Sequence, residues 1–179
     1  AFKGLREDKS AAEIVRETLA MSNADQPAAA PATIAGVTLT HPDRVMWAEQ
    51  GLTKLGLAEF YQEIADWILP HIVERPLALV RCPSGSEQQC FFQKHAFAGL
   101  HDAVKRVAVG DDDALAISDL PGLIALVQSG VLEIHPWGST LKKPEQPDRL
   151  IFDLDPGEGL IFTDVIAGAR EVKARLEAK

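Results

Sequence analysis

The chain has 179 residues, of which 46% are hydrophobic, which suffices for the core of one ordinary domain or a modest domain with an appendage. Its formal net charge of −8 excludes a protein that coats nucleic acid non-specifically, because neutralising phosphates takes a surplus of Lys and Arg. No apolar run approaches the roughly 18 residues of a membrane span, and the N-terminal segment lacks the apolar core of a signal peptide, so we expect neither a membrane protein nor an exported one.

The first 33 residues predict one helix and a linker. In "SAAEIVRETLAM", residues 10–21, apolar side chains recur at helical spacing after Ser10, and Glu13 completes a capping box. The following "SNADQPAAAPAT", residues 22–33, has two prolines and no large apolar side chain, which is typical of a linker. We therefore place a domain boundary near residue 33.

The segment after the linker predicts two short strands or extended turns, followed by a long helix. The strands are "IAGVTLT" and "RVMW", and Thr53 is placed to cap a helix that runs to about residue 72. The predicted buried stripe of that helix consists of Leu57, Phe60, Tyr61, Ile64 and Ile68.

The rest of the chain alternates strand and helix patterns. Strands are predicted at "LALVR", "QCFFQK", "VKRVAV", "ALAIS" and "VLEIH". A helix capped by Ser118 or Asp119 ends at Gly130, and a final helix, about residues 163–177, is expected to bury Val165, Ala169, Val172 and Leu176. We expect "RLIFDLD", residues 149–155, to form a central strand because it is apolar on both faces. The pattern indicates an α+β or mixed α/β domain with a largely antiparallel or mixed sheet and flanking helices.

Two cysteines are too few for a disulfide scaffold and favour the reducing cytoplasm. With two histidines they form the series Cys82, Cys90, His95 and His101. Its spacing departs from the close cysteine pairs of structural zinc sites, so we expect no zinc and interpret both cysteines as buried small hydrophobic residues.

Asp153 and Asp155 are the strongest candidates for chemistry. In a strand, residues two apart share a face about 6.6 Å from one another, so both carboxylates would aim at one place. Like charges so close are relieved by a divalent cation, and hard oxygen ligands suit Mg²⁺ or Mn²⁺. Two solvated acids at the edge of the core remain the alternative interpretation.

Two further segments suggest a ligand site. "EIHPWGS", residues 133–139, places His135 at a strand end, followed by a loop in which Trp137 and Ser139 are expected to be exposed to a ligand such as a nucleotide. "FFQKH" offers Lys94 beside paired phenylalanines. The alternatives are a histidine paired with a nearby carboxylate and a lysine whose stem lies over an apolar strand.

The segments "RVMW", "LTKLGLAEFY", "RCPSG", "FFQKH", "EIHPWGS" and "RLIFDLDPGEG", in this order, resemble the first half of the polymerase domain of bacterial DNA ligase D. That family belongs to the archaeal-eukaryal primase superfamily, and the resemblance covers residues 34–179. "FKGLREDK" is similar to the end of the ATP-dependent ligase domain of the same proteins. Residues 1–21 are therefore predicted to be the tail of a ligase domain.

The resemblance implies a nucleotidyltransferase of non-homologous end joining that adds ribonucleotides or deoxynucleotides to DNA ends and gaps before ligation. It implies metal binding by Asp153 and Asp155 with manganese preferred, and nucleotide binding by His135, Lys94 and Ser139.

Arg44 and Lys54 match basic residues that hold a DNA 5′-phosphate, which would reconcile an acidic chain with a nucleic-acid partner. Ku and the ligase domain of the same polypeptide are the implied partners, in the bacterial cytoplasm at the nucleoid. The third metal-binding acid of the family would come from a later segment, so we expect little or no primer extension by these 179 residues alone.

Two alternatives stay open. A non-catalytic module could dock a 5′-phosphorylated DNA end or Ku. A phosphatase with an aspartate nucleophile is also considered, because "FDLDPG" resembles the nucleophile strand of haloacid-dehalogenase-like enzymes, although Gly157 replaces the usual Thr or Val. Self-association through an open sheet edge is a further expectation.

Overall fold

The computed structural model describes residues 30–110 and 112–178, and these residues form the mixed α+β architecture that the sequence predicts. The predicted helix at residues 10–21 and residues 22–29 of the predicted linker lie outside the described residues, whereas Ala32 and Thr33 at the end of that linker belong to β1. The strands are β1 (Ala32–Ile34), β2 (Val37–Leu39), β3 (Val45–Trp47), β4 (Leu52–Thr53), β5 (Leu77–Arg81), β6 (Phe91–Gln93), β7 (Lys105–Val109), β8 (Asp112–Ala116) and β9 (Val131–Pro136). The helices are α1 (Lys54–Glu63), α2 (Ala65–Ile72), α3 (Leu120–Gln128) and α4 (Phe162–Glu177).

The central sheet is built around β5, and every pairing in it is antiparallel. On one side β5 pairs with β9 along its whole length, and on the other it pairs with β6 and, through Leu77, with β8. β7 extends the sheet from β8. The five strands predicted from "LALVR" to "VLEIH" are thereby confirmed within a residue or two of their expected bounds.

The core lies between this sheet and α3. Asp119 caps α3 by accepting a hydrogen bond from the backbone N–H of Gly122, and Gly130 ends the turn after it with a φ of 75°. Gly122 packs so closely that an added Cβ would lie 2.7 Å from the Cβ of Ile117. The fully buried side chains of α3 are Leu123, Ile124, Leu126 and Val127. The predicted helix is therefore confirmed, and of the two candidate caps it is Asp119 that makes the capping hydrogen bond.

The long predicted helix is in fact two helices. Thr53 caps α1 as expected, with its hydroxyl accepting from the N–H of Gly56 at 3.1 Å. The helix breaks at Ile64, whose carbonyl oxygen accepts from the N–H of Trp67 in a tighter turn of three residues. Phe60 is half exposed, contrary to the predicted stripe, because it lines a surface groove beside the β3–β4 hairpin. The buried positions of the two helices are Lys54, Leu57, Ala58, Ala65 and Ile72.

The segment 149–155 is the clearest departure from prediction. It forms no strand, and every residue in it is exposed. Among the described residues β9 pairs only with β5, so no strand offers the hydrogen bonds that a central position requires. The helix α4 forms as predicted but buries no residue, so the expected burial of Val165, Ala169, Val172 and Leu176 is wrong. Apolar composition indicated burial here, but the segment and α4 meet only in an open groove lined by Phe152, Leu154, Val172 and Leu176, which leaves these side chains partly or largely exposed.

An ion pair holds the chain just before this segment. Arg75 is buried and donates two hydrogen bonds to the carboxylate of Asp148, at 2.7 and 2.8 Å. These hydrogen bonds keep the pKa of Asp148 below its ordinary value. Arg149 adds contacts to the backbone carbonyl oxygens of Pro70 and His71. The loop from β9 to Arg149 is therefore fastened to the end of α2.

Cys82 and Cys90 form a disulfide, with Cα atoms 4.3 Å apart, so their interpretation as two buried hydrophobic residues is wrong. Cys82 is buried, whereas Cys90 is exposed. The reason is topological: Cys82 follows β5 and Cys90 precedes β6, and the antiparallel pairing of these strands brings both ends of the loop together. No helix among the described residues has the length and apolarity needed to span a membrane.

Candidate anion-binding pocket and acidic segment

Arg44 and Lys54 are brought together by local backbone structure. Arg44 ends a turn in which its own backbone N–H donates to the carbonyl oxygen of His41. The backbone N–H of Lys54 in turn donates to the carbonyl oxygen of Arg44 at 2.8 Å. Lys54 is the first residue of α1, directly after its cap. The turn and the helix start therefore hold the two predicted phosphate ligands side by side.

Lys54 is a buried cation, with only 3% of its surface exposed. Its Nζ donates to the carbonyl oxygen of Thr40 at 2.9 Å and lies 3.5 Å from two oxygens of Gln128. Burial, and then the positive charge of Arg44, lower the pKa of Lys54 to about 8. Since carbonyl oxygens do not neutralise a charge, a bound anion would stabilise the charged form of this ammonium group.

Arg81 joins this pair from the end of β5. Its Nε donates to the carbonyl oxygen of Ser129 at 3.0 Å, and its guanidinium lies 3.7 Å from the ring centroid of Phe97. Burial lowers the pKa of Arg81 from its ordinary value. Sequence reasoning missed this residue, because its neighbours come from distant segments. The "RCPSG" segment that includes it was its only signal in the sequence.

The three cations line one cavity of about 330 Å³. The rest of its wall consists of Thr40, His41, Pro83, Phe97, Ala98, Gly99, Gln128, Ser129 and Gly130. Within residues 30–110 and 112–178, no ion pair involves Arg44, Lys54 or Arg81. A cavity with three positive side chains and no carboxylate in its wall has the electrostatics of an anion site. We call it the cation pocket.

Asp153 and Asp155 lie in the exposed segment before α4. Neither belongs to a group of three or more described His, Cys, Asp or Glu side chains with ligand atoms within 4.8 Å of one another. Their oxygen donors suit Mn²⁺ or Mg²⁺ in chemistry, but two carboxylates are fewer than such ions usually take in a closed site.

The three residues predicted to bind nucleotide differ in their exposure to solvent. Lys94 is exposed. His135 is exposed and lies 2.9 Å from a carboxylate oxygen of Glu133, with its ring 6.2 Å from that of Phe92. Ser139 is 96% buried, so its predicted place in an exposed loop is wrong. The loop folds inward because the N–H groups of residues 148 and 149 donate to the carbonyl oxygen of Gly138.

Among the described residues, one cluster does have its ligand atoms within 4.8 Å of one another, namely His95, Asp112 and Asp113. Sequence reasoning did not single it out. Arg106 already pairs with Asp113, at 2.5 Å between Nε and Oδ2, and supplies the positive charge that a metal ion would bring. His95 and Asp112 are largely exposed.

Comparison with known proteins places these features in a family. The sequence model of the LigD primase-polymerase domain matches residues 53–179. The multifunctional non-homologous end joining protein LigD of Pseudomonas aeruginosa is 37% identical over 169 residues, which cover 89% of this chain and 20% of that protein. The corresponding protein of Mycolicibacterium smegmatis is 33% identical over 144 residues, with 77% and 19% covered.

A solved structure shows the same fold. The polymerase domain of ligase D from Mycobacterium tuberculosis, in complex with DNA, matches with a TM-score of 0.68 and 30% identity over 79% of this chain and 54% of that one. The chain thus spans about a fifth of the length of the curated relatives and about half of the solved domain.

Proposed function

Because the chain belongs to the LigD primase-polymerase domain family, we propose that it binds DNA ends and gaps through a 5′-phosphate and takes part in metal-dependent nucleotide addition during end joining. Family membership supports a nucleotidyltransferase-type enzyme. The substrates would be nucleoside triphosphates, either ribo or deoxy, and DNA. Ku and a ligase domain of the same polypeptide are the proposed protein partners, at the bacterial nucleoid.

The cation pocket is the observation that carries the DNA-binding part of the proposal. A terminal phosphate carries a charge between about −1.5 and −2 at neutral pH and offers three strong acceptor oxygens. Lys54 and Arg44 supply charge, and Arg44 can also donate two parallel hydrogen bonds. A small pocket of this kind explains how a chain with a net charge of −8 can bind DNA locally.

For the catalytic part, Asp153 and Asp155 would hold Mn²⁺ or Mg²⁺, and the exposed side chains of His135 and Lys94 would contact the triphosphate. A divalent ion, when bound, supplies positive charge that stabilises phosphoryl oxygens. The two aspartates supply oxygen ligands, and no third ligand among the described residues accompanies them. We therefore propose that this chain alone extends DNA primers poorly or not at all.

A non-catalytic docking role is the second candidate, and one observation favours it. The cation pocket is lined by segments that pack around the core, whereas the aspartates lie on a segment in which every residue is exposed. A chain with this structure can bind a 5′-phosphorylated end before, and independently of, any chemistry at Asp153. Among the described residues, no arrangement of side chains gives similar support to an aspartyl phosphatase.

Two variants separate these roles. Dissociation constants are measured for gapped duplexes that carry either a 5′-phosphate or a 5′-hydroxyl. Arg44→Ala should lose about tenfold of the preference for the phosphate, since one charge-assisted hydrogen bond contributes about 1.5–3 kcal/mol. Asp153→Ala should keep the wild-type preference. Arg106→Ala, an exposed arginine outside the pocket, is the matched control. Equal losses in Arg44→Ala and Asp153→Ala would refute a separate docking surface.

Metal binding is tested by titrating Mn²⁺ with and without a nucleoside triphosphate. Two carboxylates alone should bind weakly, and triphosphate oxygens should strengthen binding by completing the coordination shell. The Asp153→Asn, Asp155→Asn double variant, titrated with the same triphosphate, corrects for Mn²⁺ bound by the nucleotide itself. A double variant indistinguishable from wild type would remove these aspartates from the proposal.

A further inference from the structure

We propose that Arg81 is a third ligand of the bound 5′-phosphate and gives the cation pocket its selectivity for a terminal phosphate over backbone phosphodiesters. This inference rests on the phosphate-binding role proposed above for the same pocket. Arg81 lies at the end of β5, its guanidinium is held by two groups, and the cavity beside it has an excess of positive charge.

The guanidinium of Arg81 is held in one orientation. Its Nε donates to the carbonyl oxygen of Ser129, and its flat face stacks on Phe97 at 3.7 Å. Its Nη1 has only a long contact of 3.5 Å, to Gln93, and its Nη2 donates to no protein atom within the described part of the chain. A fork with one edge anchored and the other edge open is pre-organised to receive an oxyanion, because little side-chain entropy remains to be lost.

The charge balance of the pocket favours a dianion. Arg44, Lys54 and Arg81 all line it, and none of them pairs with a carboxylate in the ranges that the structure covers. A partly buried guanidinium without a counter-ion has lost hydration that nothing negative has replaced. A phosphodiester brings one negative charge, whereas a terminal phosphate brings nearly two and a third free oxygen. Three cations therefore match a terminal phosphate better.

A purely structural role for Arg81 is the competing explanation. The bond to Ser129 and the stack on Phe97 could serve only to join β5, α3 and the 94–103 loop. In that case a substitution would lower the melting temperature and affect both kinds of DNA end equally. The ratio of dissociation constants for 5′-hydroxyl and 5′-phosphate gapped duplexes separates the two explanations, because a general loss of structure cancels in it.

The test measures this ratio for wild type, Arg81→Gln, Arg81→Lys and the control Arg106→Gln at one salt concentration. Arg81→Gln should lower the ratio by about tenfold and change the affinity for the 5′-hydroxyl duplex by less than about twofold. Arg81→Lys should give an intermediate ratio, because it keeps the charge but loses the fork. Arg106→Gln should match wild type, since Arg106 lies outside the pocket.

A wild-type ratio in folded Arg81→Gln, shown by its circular dichroism, would overturn the inference and leave the phosphate pocket standing. A ratio near one in the wild type would overturn the pocket and this inference together. If Arg81→Gln does not fold, Phe97→Leu provides the test, because it keeps the charge and removes the stack. The ratio should then fall severalfold, and an unchanged ratio in folded Phe97→Leu would refute the role of Arg81.

Discussion

At the scale of single residues, Lys54 shows how the proposed phosphate site would oppose stability. Its pKa of about 8, against 10.5 for an ordinary lysine, means that keeping it charged in the folded state at neutral pH costs about 3 kcal/mol. The carbonyl oxygens of Thr40 and Gln128 accept from it without supplying a negative charge. A residue retained at this cost fits a function that needs a cation in that place.

Lys54→Met should therefore stabilise the fold while removing phosphate selectivity. Methionine keeps the apolar stem and loses the charge. Leaving the carbonyl oxygens of Thr40 and Gln128 without a donor costs about 1–2 kcal/mol. The free energy of unfolding should therefore rise by about 1–2 kcal/mol, which corresponds to a rise of about 3 °C in melting temperature at pH 7. Thermal unfolding measures the effect, with the exposed Lys142→Met as control. A clear fall in melting temperature would contradict this explanation of the pKa.

The same residue predicts a pH dependence of binding. Above a pKa of about 8 the free Lys54 is neutral, so the preference for a 5′-phosphate should weaken as pH rises from 7 to 9. The unfolded chain binds more protons than the folded one between pH 8 and 10.5, so the free energy of unfolding should rise with pH over that range. Lys54→Met should show neither trend. A preference for phosphate that is flat across pH 7–9 in the wild type would count against a charged Lys54 in the site.

At the scale of elements, the disulfide loop supports the cation pocket from outside. Arg44 Nη1 donates to the carbonyl oxygen of Pro83 at 2.6 Å, and the N–H of Ser86 donates to the carbonyl oxygen of Met46 in β3. Both acceptor and donor lie in the loop that Cys82 and Cys90 close. The loop therefore fixes one side of Arg44.

Opening the disulfide should loosen this support. Closing a loop of about nine residues contributes about 2–3 kcal/mol on the chain-entropy estimate. Reduction by dithiothreitol should lower the melting temperature of the wild type and reduce its preference for a 5′-phosphate. Cys90→Ser should already show both effects and should not respond to the reductant. Two reactive thiols in the unreduced, folded wild type would show that the bond does not form.

Secondary structure was predictable wherever its signal is local. The cap at Thr53, the cap and glycine stop of α3 and the short apolar runs of the β5, β7 and β8 segments each depend on a few neighbouring residues. The prediction of a strand at residues 149–155 was wrong because apolar content indicates a strand but does not show whether a neighbouring strand is available to pair with it. The predicted exposure of Ser139 and the predicted burial of Phe60 were wrong for a related reason. The exposure of each side chain depends on which distant segment packs over it.

At the scale of the whole molecule, only part of the candidate site could be predicted from the sequence. Arg44 and Lys54 are ten residues apart and are joined by one turn and one helix start, so a family motif could find both. Arg81 needs Ser129 and Phe97, each from another element, and only the fold brings these together. The resemblance correctly indicated the family and its fold, whereas the roles of Asp153 and His135 stay predictions.

The central claim is that the cation pocket binds a terminal phosphate of DNA. The most direct measurement compares the affinity of the wild-type chain for two gapped duplexes that differ only in the 5′-phosphate, at pH 7 and one fixed salt concentration. Three cations facing a dianion should make the phosphorylated duplex bind at least about tenfold more tightly. Equal affinity for the two duplexes would contradict the claim.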